Sequence, residues 1–163
     1  MTRNTRLPLA CAALLGATLL AGSVSSQTAT TAGTKRTIHM SAVEYKGSTD
    51  VVKEPFPTVA APAGGGYLLK APADGRWENS TYRFEPGLIV ANQGDEVELR
   101  IWGVNGAKHD TTIEGHDRAF VVRRGQLTTV TFKADKPGIF RIVCHDHQPS
   151  METQLLVLAA GNK

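Results

Sequence analysis

The sequence predicts an all-β domain, a Greek-key β-sandwich or barrel, and three observations carry that prediction. From residue 81 onward, short stretches with apolar side chains at alternate positions are separated by turns rich in Gly, Asn and Pro. Outside the first 26 residues, nothing shows the long 3.6-residue apolar period of an amphipathic helix. With 163 residues less a leader, the chain has the size of one domain with its own core.

Taken in order, residues 1–26 read as a secretory signal peptide. Arg3 and Arg6 precede an apolar run at 9–20, and the small residues Ala21, Gly22, Ser23, Ser25 and Ser26 follow. The run is shorter than the about 20 apolar residues that a membrane-spanning helix needs, so no span is expected once the leader is cleaved. Residues 27–35, built of Thr, Ala and Gly, read as a flexible tether. Residues 36–80 read as an N-terminal extension. In it Ile38, Met40 and Ala42 alternate with polar neighbours as in an edge strand over 36–45. Between 51 and 79, Pro55, Pro57, Pro62, Pro72 and the triplet Gly64-Gly65-Gly66 break regular structure. That stretch reads either as a long loop folded over the barrel or as a hairpin used in oligomer contacts, which leaves room for a homo-oligomer.

Residues 81–163 form the main domain. Tyr82 and Phe84 alternate ahead of Pro86-Gly87, and a short apolar run at 88–91 ends at Asn92-Gln93-Gly94-Asp95. Over 96–102, Val97, Leu99 and Ile101 point inward against Glu96, Glu98 and Arg100. Strands follow at 109–113, 119–122, 127–133, 139–144 and 151–158. They are punctuated by Glu114-Gly115, Arg123-Arg124-Gly125 and Asp135-Lys136-Pro137-Gly138, with Asn105-Gly106 turning into the first of them. The aromatic residues Trp77, Phe84, Trp102, Phe132 and Phe140 are assigned to the core, and His39 to a strand surface.

The charge balance excludes one class of partner. Arg3 and Arg6 leave with the leader, so the net charge falls from +3 to +1, without the clustered basic face that nucleic-acid binding requires. Cys11 leaves too, and Cys144 is then the only cysteine, so no intramolecular disulfide can form. An unpaired cysteine in an exported protein points to a use for its sulfur.

That use is indicated by the stretch Cys144-His145-Asp146-His147-Gln148-Pro149-Ser150-Met151, which joins two strands. Cys144 ends one strand, His147 follows at Cys-x-x-His spacing, and Met151 opens the next strand. His109 begins its own strand after Asn105-Gly106-Ala107-Lys108 and can stand at the same end of a sandwich. One Cys, two His and a weak axial Met form the donor set of a blue-copper electron-transfer site: soft sulfur suits Cu(I) and imidazole suits both oxidation states. His145, next to Cys144, points to the opposite face and is left out of the ligand set, as is His116. Structural zinc would show paired Cys or His ligands at close spacing, and a Met beside it would be odd. A Cys-His nucleophile lacks an orienting third residue here.

The run Ala134-Asp135-Lys136-Pro137-Gly138-Ile139-Phe140-Arg141-Ile142-Val143-Cys144, with His147 and Met151 after it, resembles the cupredoxins, and the resemblance covers residues 82–158. It implies a Greek-key sandwich with type 1 copper, in which His109, Cys144 and His147 are the strong ligands and Met151 the axial one. The same run is similar to the copper A domain of terminal oxidase subunit II. That domain has a second Cys where Gln148 stands, so one copper ion is expected rather than two. The run 131–144 with His147 after it, and the extra N-terminal stretch at 36–47, are also similar to nitrosocyanin, a red copper protein. There a Glu stands in place of His109 and a further His comes late in the loop, departures that favour the blue type. Asp110, where many cupredoxins have Asn, is expected to tie the ligand loops together. The resemblance implies an electron carrier rather than an enzyme, with a cytochrome or copper enzyme as redox partner, and the leader-like residues 1–26 imply export, to the periplasm. His147, beside Pro149, would be the exposed edge for electron transfer. The alternatives are a copper-carrier or tolerance protein and a nitrosocyanin-like site with an open coordination position.

Overall fold

The computed structural model describes Met1 and residues 33–161. Residues 2–26 of the signal peptide reading and residues 27–32 of the tether lie outside them. Ten strands make up the described chain: β1 (Lys35–Asp50), β2 (Tyr67–Ala73), β3 (Arg76–Glu85), β4 (Leu88–Asn92), β5 (Glu96–Gly103), β6 (Lys108–Ile113), β7 (Arg118–Arg123), β8 (Leu127–Lys133), β9 (Gly138–Cys144) and β10 (Glu152–Leu158). They form two five-stranded sheets, in the orders β2-β3-β1-β5-β8 and β4-β10-β9-β6-β7. Among the described residues no helix is long and apolar enough to cross a membrane.

Period-two alternation puts one face of each strand into the layer between the sheets. Val97, Leu99 and Ile101 on β5 meet Ile142 on β9, Leu155 and Val157 on β10, Ile113 on β6 and Phe84 on β3 in a single buried cluster. Trp102 corrects one expectation: it continues the outward series Glu98, Arg100 on β5 and is 48% exposed. Strand parity, not aromatic character, sets its direction. Trp77 is buried, as expected, but on the far side of β3, where its indole N–H donates to the Glu54 carbonyl at 2.7 Å and its ring meets Phe56 edge-on.

The 36–80 segment differs most from its sequence reading. β1 is not an edge strand but the centre of its sheet. Its first half pairs in parallel with β5, Lys35 to Ala42 against Glu96 to Gly103. Its second half runs antiparallel to β3, Ser41 to Asp50 against Glu85 to Arg76. The alternation Ile38, Met40, Ala42 continues as Glu44, Lys46, Ser48, which line an open groove rather than the core, so the strand's second half carries no apolar pattern. Beyond it the Pro-rich stretch gives way to a hairpin, β2 with β3, turned at Asp74-Gly75 with φ of 52° and 75°. Asp-Gly is the dipeptide that favours such a two-residue turn, because both positions need positive φ.

The start of β1 is pinned rather than free. Asp95, only 2% exposed, accepts from the Thr34 N–H and hydroxyl, both at 3.0 Å, from the Arg36 guanidinium at 2.9 Å and from the Asn92 N–H at 2.9 Å. The main-chain donor on Asn92, opposed by burial and assisted by Arg36 and Thr34, holds its carboxyl well below the usual carboxylate range.

Candidate metal centre

His109, at the head of β6, and Cys144, at the end of β9, come side by side because β6 and β9 pair with Thr111 opposite Cys144. His147 lies on the loop that follows. The three donor atoms form a triangle: His109 Nδ1 to His147 Nδ1 is 3.2 Å, Cys144 Sγ to His147 Nδ1 is 3.5 Å and Cys144 Sγ to His109 Nδ1 is 3.8 Å. His109 and Cys144 are fully buried and His147 half-buried, and these three are the candidate metal-holding group among the described residues. A point in the plane of the triangle and equidistant from its corners lies about 2.0 Å from each, close to the nitrogen and sulfur bond lengths of a first-row metal such as zinc. The residues fit a metal ion.

Each donor is held from behind. His109 Nε2 lies 2.7 Å from the Asn105 carbonyl, which can only accept, so the ring's proton sits on Nε2 and the Nδ1 lone pair faces the cluster. Burial pushes the Cys144 thiol up to about 11, against the main-chain N–H groups of Asp146 and His147, which hydrogen-bond the sulfur and favour its thiolate. For His147, burial and then the neighbouring His109 lower the imidazole's pKa, so the ring is neutral and free to donate a lone pair at pH 7.

The loop from Cys144 to Met151 closes on itself. Met151 N–H donates to the His147 carbonyl and Cys144 N–H to the Met151 carbonyl, both at 3.0 Å, and the Gln148 amide donates to the Cys144 carbonyl at 2.6 Å. Met151 is fully buried and shares the core cluster with Cys144. The tie between the two ligand loops differs from the sequence reading. The main chain of Asp110, not its side chain, makes it: its N–H donates to the Asp146 carboxylate at 2.8 Å, and its carbonyl accepts from His145 N–H at 2.8 Å. The Asp110 carboxylate instead pairs with Lys108. His145 turns away to the Thr112 hydroxyl, and His116 sits between Phe132 and Phe140. Neither joins the cluster.

No protein-family model matches the sequence, and no curated protein does. Among solved structures, the copper nitrite reductase from Nitrosomonas europaea is 16% identical with a TM-score of 0.50, covering 77% of this chain and 42% of that one. The fold is that of the cupredoxins. A nitrite reductase from Thermus scotoductus covers 80% of this chain and 29% of its own length at 16% identity and a TM-score of 0.48. Auracyanin A, a "blue" copper protein from Chloroflexus aurantiacus, is also 16% identical, with a TM-score of 0.39, 46% of this chain and 88% of that one covered. The chain spans less than half the length of either nitrite reductase.

Within this cupredoxin fold, the N-terminal strands contribute directly to the centre, which sequence reasoning missed. Tyr82 on β3 stacks on His147 with ring centroids 3.8 Å apart and planes 28° apart, so His147 is not a bare edge. The glycine triplet lies against the ligand loop: Gly66 N–H donates to the Gln148 carbonyl at 2.9 Å, and the Ser150 hydroxyl donates to the carbonyls of Gly66 and Tyr82 at 2.7 and 2.9 Å. The sequence held one signal for this. Three consecutive glycines mark a place where another backbone comes close, as well as a break in regular structure.

Proposed function

We propose that this chain is an exported mononuclear copper protein that transfers single electrons between redox partners, with His109, Cys144 and His147 as the residues that would hold copper and Met151 as a weaker fourth donor. The observation that carries the reading is the convergence of one thiol sulfur and two Nδ1 atoms on a common centre, in a cupredoxin fold. One sulfur with two imidazoles is the donor chemistry that suits a one-electron copper couple. Copper bound there would supply that couple. The chain's own part is to keep the donors still. Two main-chain bonds close the ligand loop, Asn105 orients His109, and Asp110 and Asp146 join the loops. A frame that does not rearrange between oxidation states favours fast electron transfer. A blue-copper centre is favoured over a red one because His109, rather than a carboxylate, completes the cluster. Electron transfer is favoured over copper carriage because His145 and His116 have other neighbours. Export rests on the leader-like order of residues 1–26, and a cytochrome or copper enzyme is the partner class proposed.

The test is addition of Cu(II) to the purified metal-free protein. An intense thiolate-to-copper absorption in the yellow-red, with a reversible one-electron couple, is expected, and Cys144→Ser should abolish the colour while remaining folded. A colourless protein that binds zinc or Cu(I) without a redox couple would refute the proposal.

A further inference from the structure

Tyr82 occupies the wedge between the two ligand loops. Its main chain is bound on both sides, the N–H donating to the Gly66 carbonyl at 3.1 Å and the carbonyl accepting from the Ser150 hydroxyl at 2.9 Å. Its ring lies flat on His147 and 5.8 Å from His109, centroid to centroid. Gly106 lies close to both rings: a Cβ there would come within 3.2 Å of Tyr82 Cε1 and 2.7 Å of His109 Cε1. Glu44 on β1 stands directly opposite Tyr82 in the β1–β3 register, and its side chain, 9% exposed, pairs with Lys46. Glu44 N–H in turn donates to the Asn105 side-chain oxygen at 3.1 Å, and Asn105's carbonyl holds His109 Nε2. From His147 the chain of neighbours runs through the stacked Tyr82, its strand partner Glu44 and Asn105 to His109.

We propose that Tyr82 is a positioning residue for the metal centre, holding the His147 ring in its ligand orientation before metal arrives and joining it through Glu44 and Asn105 to His109. This rests on the metal-binding reading of His147. The physical reason is entropic. An imidazole on a loop turns about two side-chain bonds, and a flat contact with a ring whose own main chain is fixed removes that freedom before binding. The main-chain bonds fix the tyrosine, and its ring fixes the histidine.

The experiment begins with the metal-free protein. In wild type the His147 ring protons should resonate upfield, under the Tyr82 ring current; Tyr82→Phe should keep the shift and Tyr82→Leu should lose it. Affinities for Cu(I) and Zn(II), measured by competition with a chelator, should fall roughly three- to tenfold in Tyr82→Leu, the size of one aromatic contact or one ordered side chain. Tyr82→Phe should stay within about twofold, since it keeps the stack. Tyr45→Leu, which changes a tyrosine on β1 that is 49% exposed, is the control for loss of an aromatic elsewhere and should change neither readout. Unchanged His147 shifts in Tyr82→Leu, or altered shifts with unaltered affinity for both metals, overturn the proposal. A wild-type protein that shows the upfield shift but takes up no copper overturns the copper reading alone.

Discussion

Gly66→Ala should disable the centre from a distance, through a steric effect whose size can be worked out from the structure. Gly66 does not adopt a positive φ, so alanine meets no backbone penalty there. The obstacle is space. A Cβ at Gly66 would lie 2.4 Å from Ser150 Oγ, 2.6 Å from the His147 carbonyl oxygen and 2.8 Å from the Gln148 carbonyl oxygen. Two of those three are main-chain atoms of the ligand loop, which no side-chain rotation can move aside. The loop must lift, stretching the bonds from Gly66 N–H to Gln148 and from Ser150 to Gly66. Overpacking of this kind costs about 1–3 kcal/mol, and a weakened buried hydrogen bond adds about 1 kcal/mol. The total of about 2–4 kcal/mol corresponds to a fall in Tm of roughly 6–16 °C for a domain of this size. Because His147 rides on the lifted loop, the copper band of Gly66→Ala should shift or vanish even at temperatures where the variant is folded. Gly87→Ala is the control: a Cβ there meets nothing within 4 Å, and its Tm should stay close to wild type. Thermal unfolding followed by circular dichroism, with absorption spectra of copper-loaded samples, reads both effects. A Gly66→Ala protein with wild-type Tm and spectrum would refute the contact between the glycine triplet and the ligand loop.

Three further outcomes follow from the same geometry. Burial holds the Cys144 thiol up to about 11, so it is protonated in the metal-free protein at neutral pH and metal uptake must release that proton. Metal affinity should therefore rise about tenfold per pH unit between pH 7 and 10, and an affinity independent of pH would contradict a buried thiol ligand. Asp95→Asn should cost about 3 kcal/mol, the scale of charge-assisted hydrogen bonds lost at a buried site. The Asp95 pKa is depressed in the folded state, so its contribution is fully present above the unfolded value of about 3.9 and is lost as pH falls below it. Denaturant titrations should thus show a constant gap between wild type and Asp95→Asn at pH 5–8 that narrows in acid. Asp146→Ala removes the acceptor for the Asp110 N–H and should cost about 1–3 kcal/mol and speed copper loss to a chelator. Asp110→Ala, which removes only an exposed pair with Lys108, should change both by less. Equal effects in the two variants would reverse that assignment.

The all-β class and the main strands were legible because strand alternation is a local property. Val97, Leu99, Ile101 and Leu155, Val157 show their inward face without knowledge of any partner. The ligand candidates were legible for a related reason. Cys144 and His147 are three residues apart on one loop, and few chemistries other than metal binding use that pair beside a Met. Trp102 shows the limit: its outward direction followed from the strand period, and its aromatic character pulled the reading the other way.

By itself, the sequence determined the sandwich and put the candidate donors Cys144, His147 and Met151 on one loop, all set by short-range pattern. Tertiary structure alone decided how the N-terminal residues serve the centre. The second half of β1 has Glu44, Lys46 and Ser48 where an inward face would show apolar residues, so nothing local marks it as a central strand; only its pairing with β3 does. Tyr82 is separated from His147 by most of the domain's sequence, and Gly66 from Ser150 by 84 residues. Contacts of that range leave no periodic trace, because they depend on where two sheets and three loops come to rest against each other. His109 belongs between the two cases. The sequence marked it as an imidazole at a strand start, and the pairing of β6 with β9 placed its Nδ1 beside Cys144.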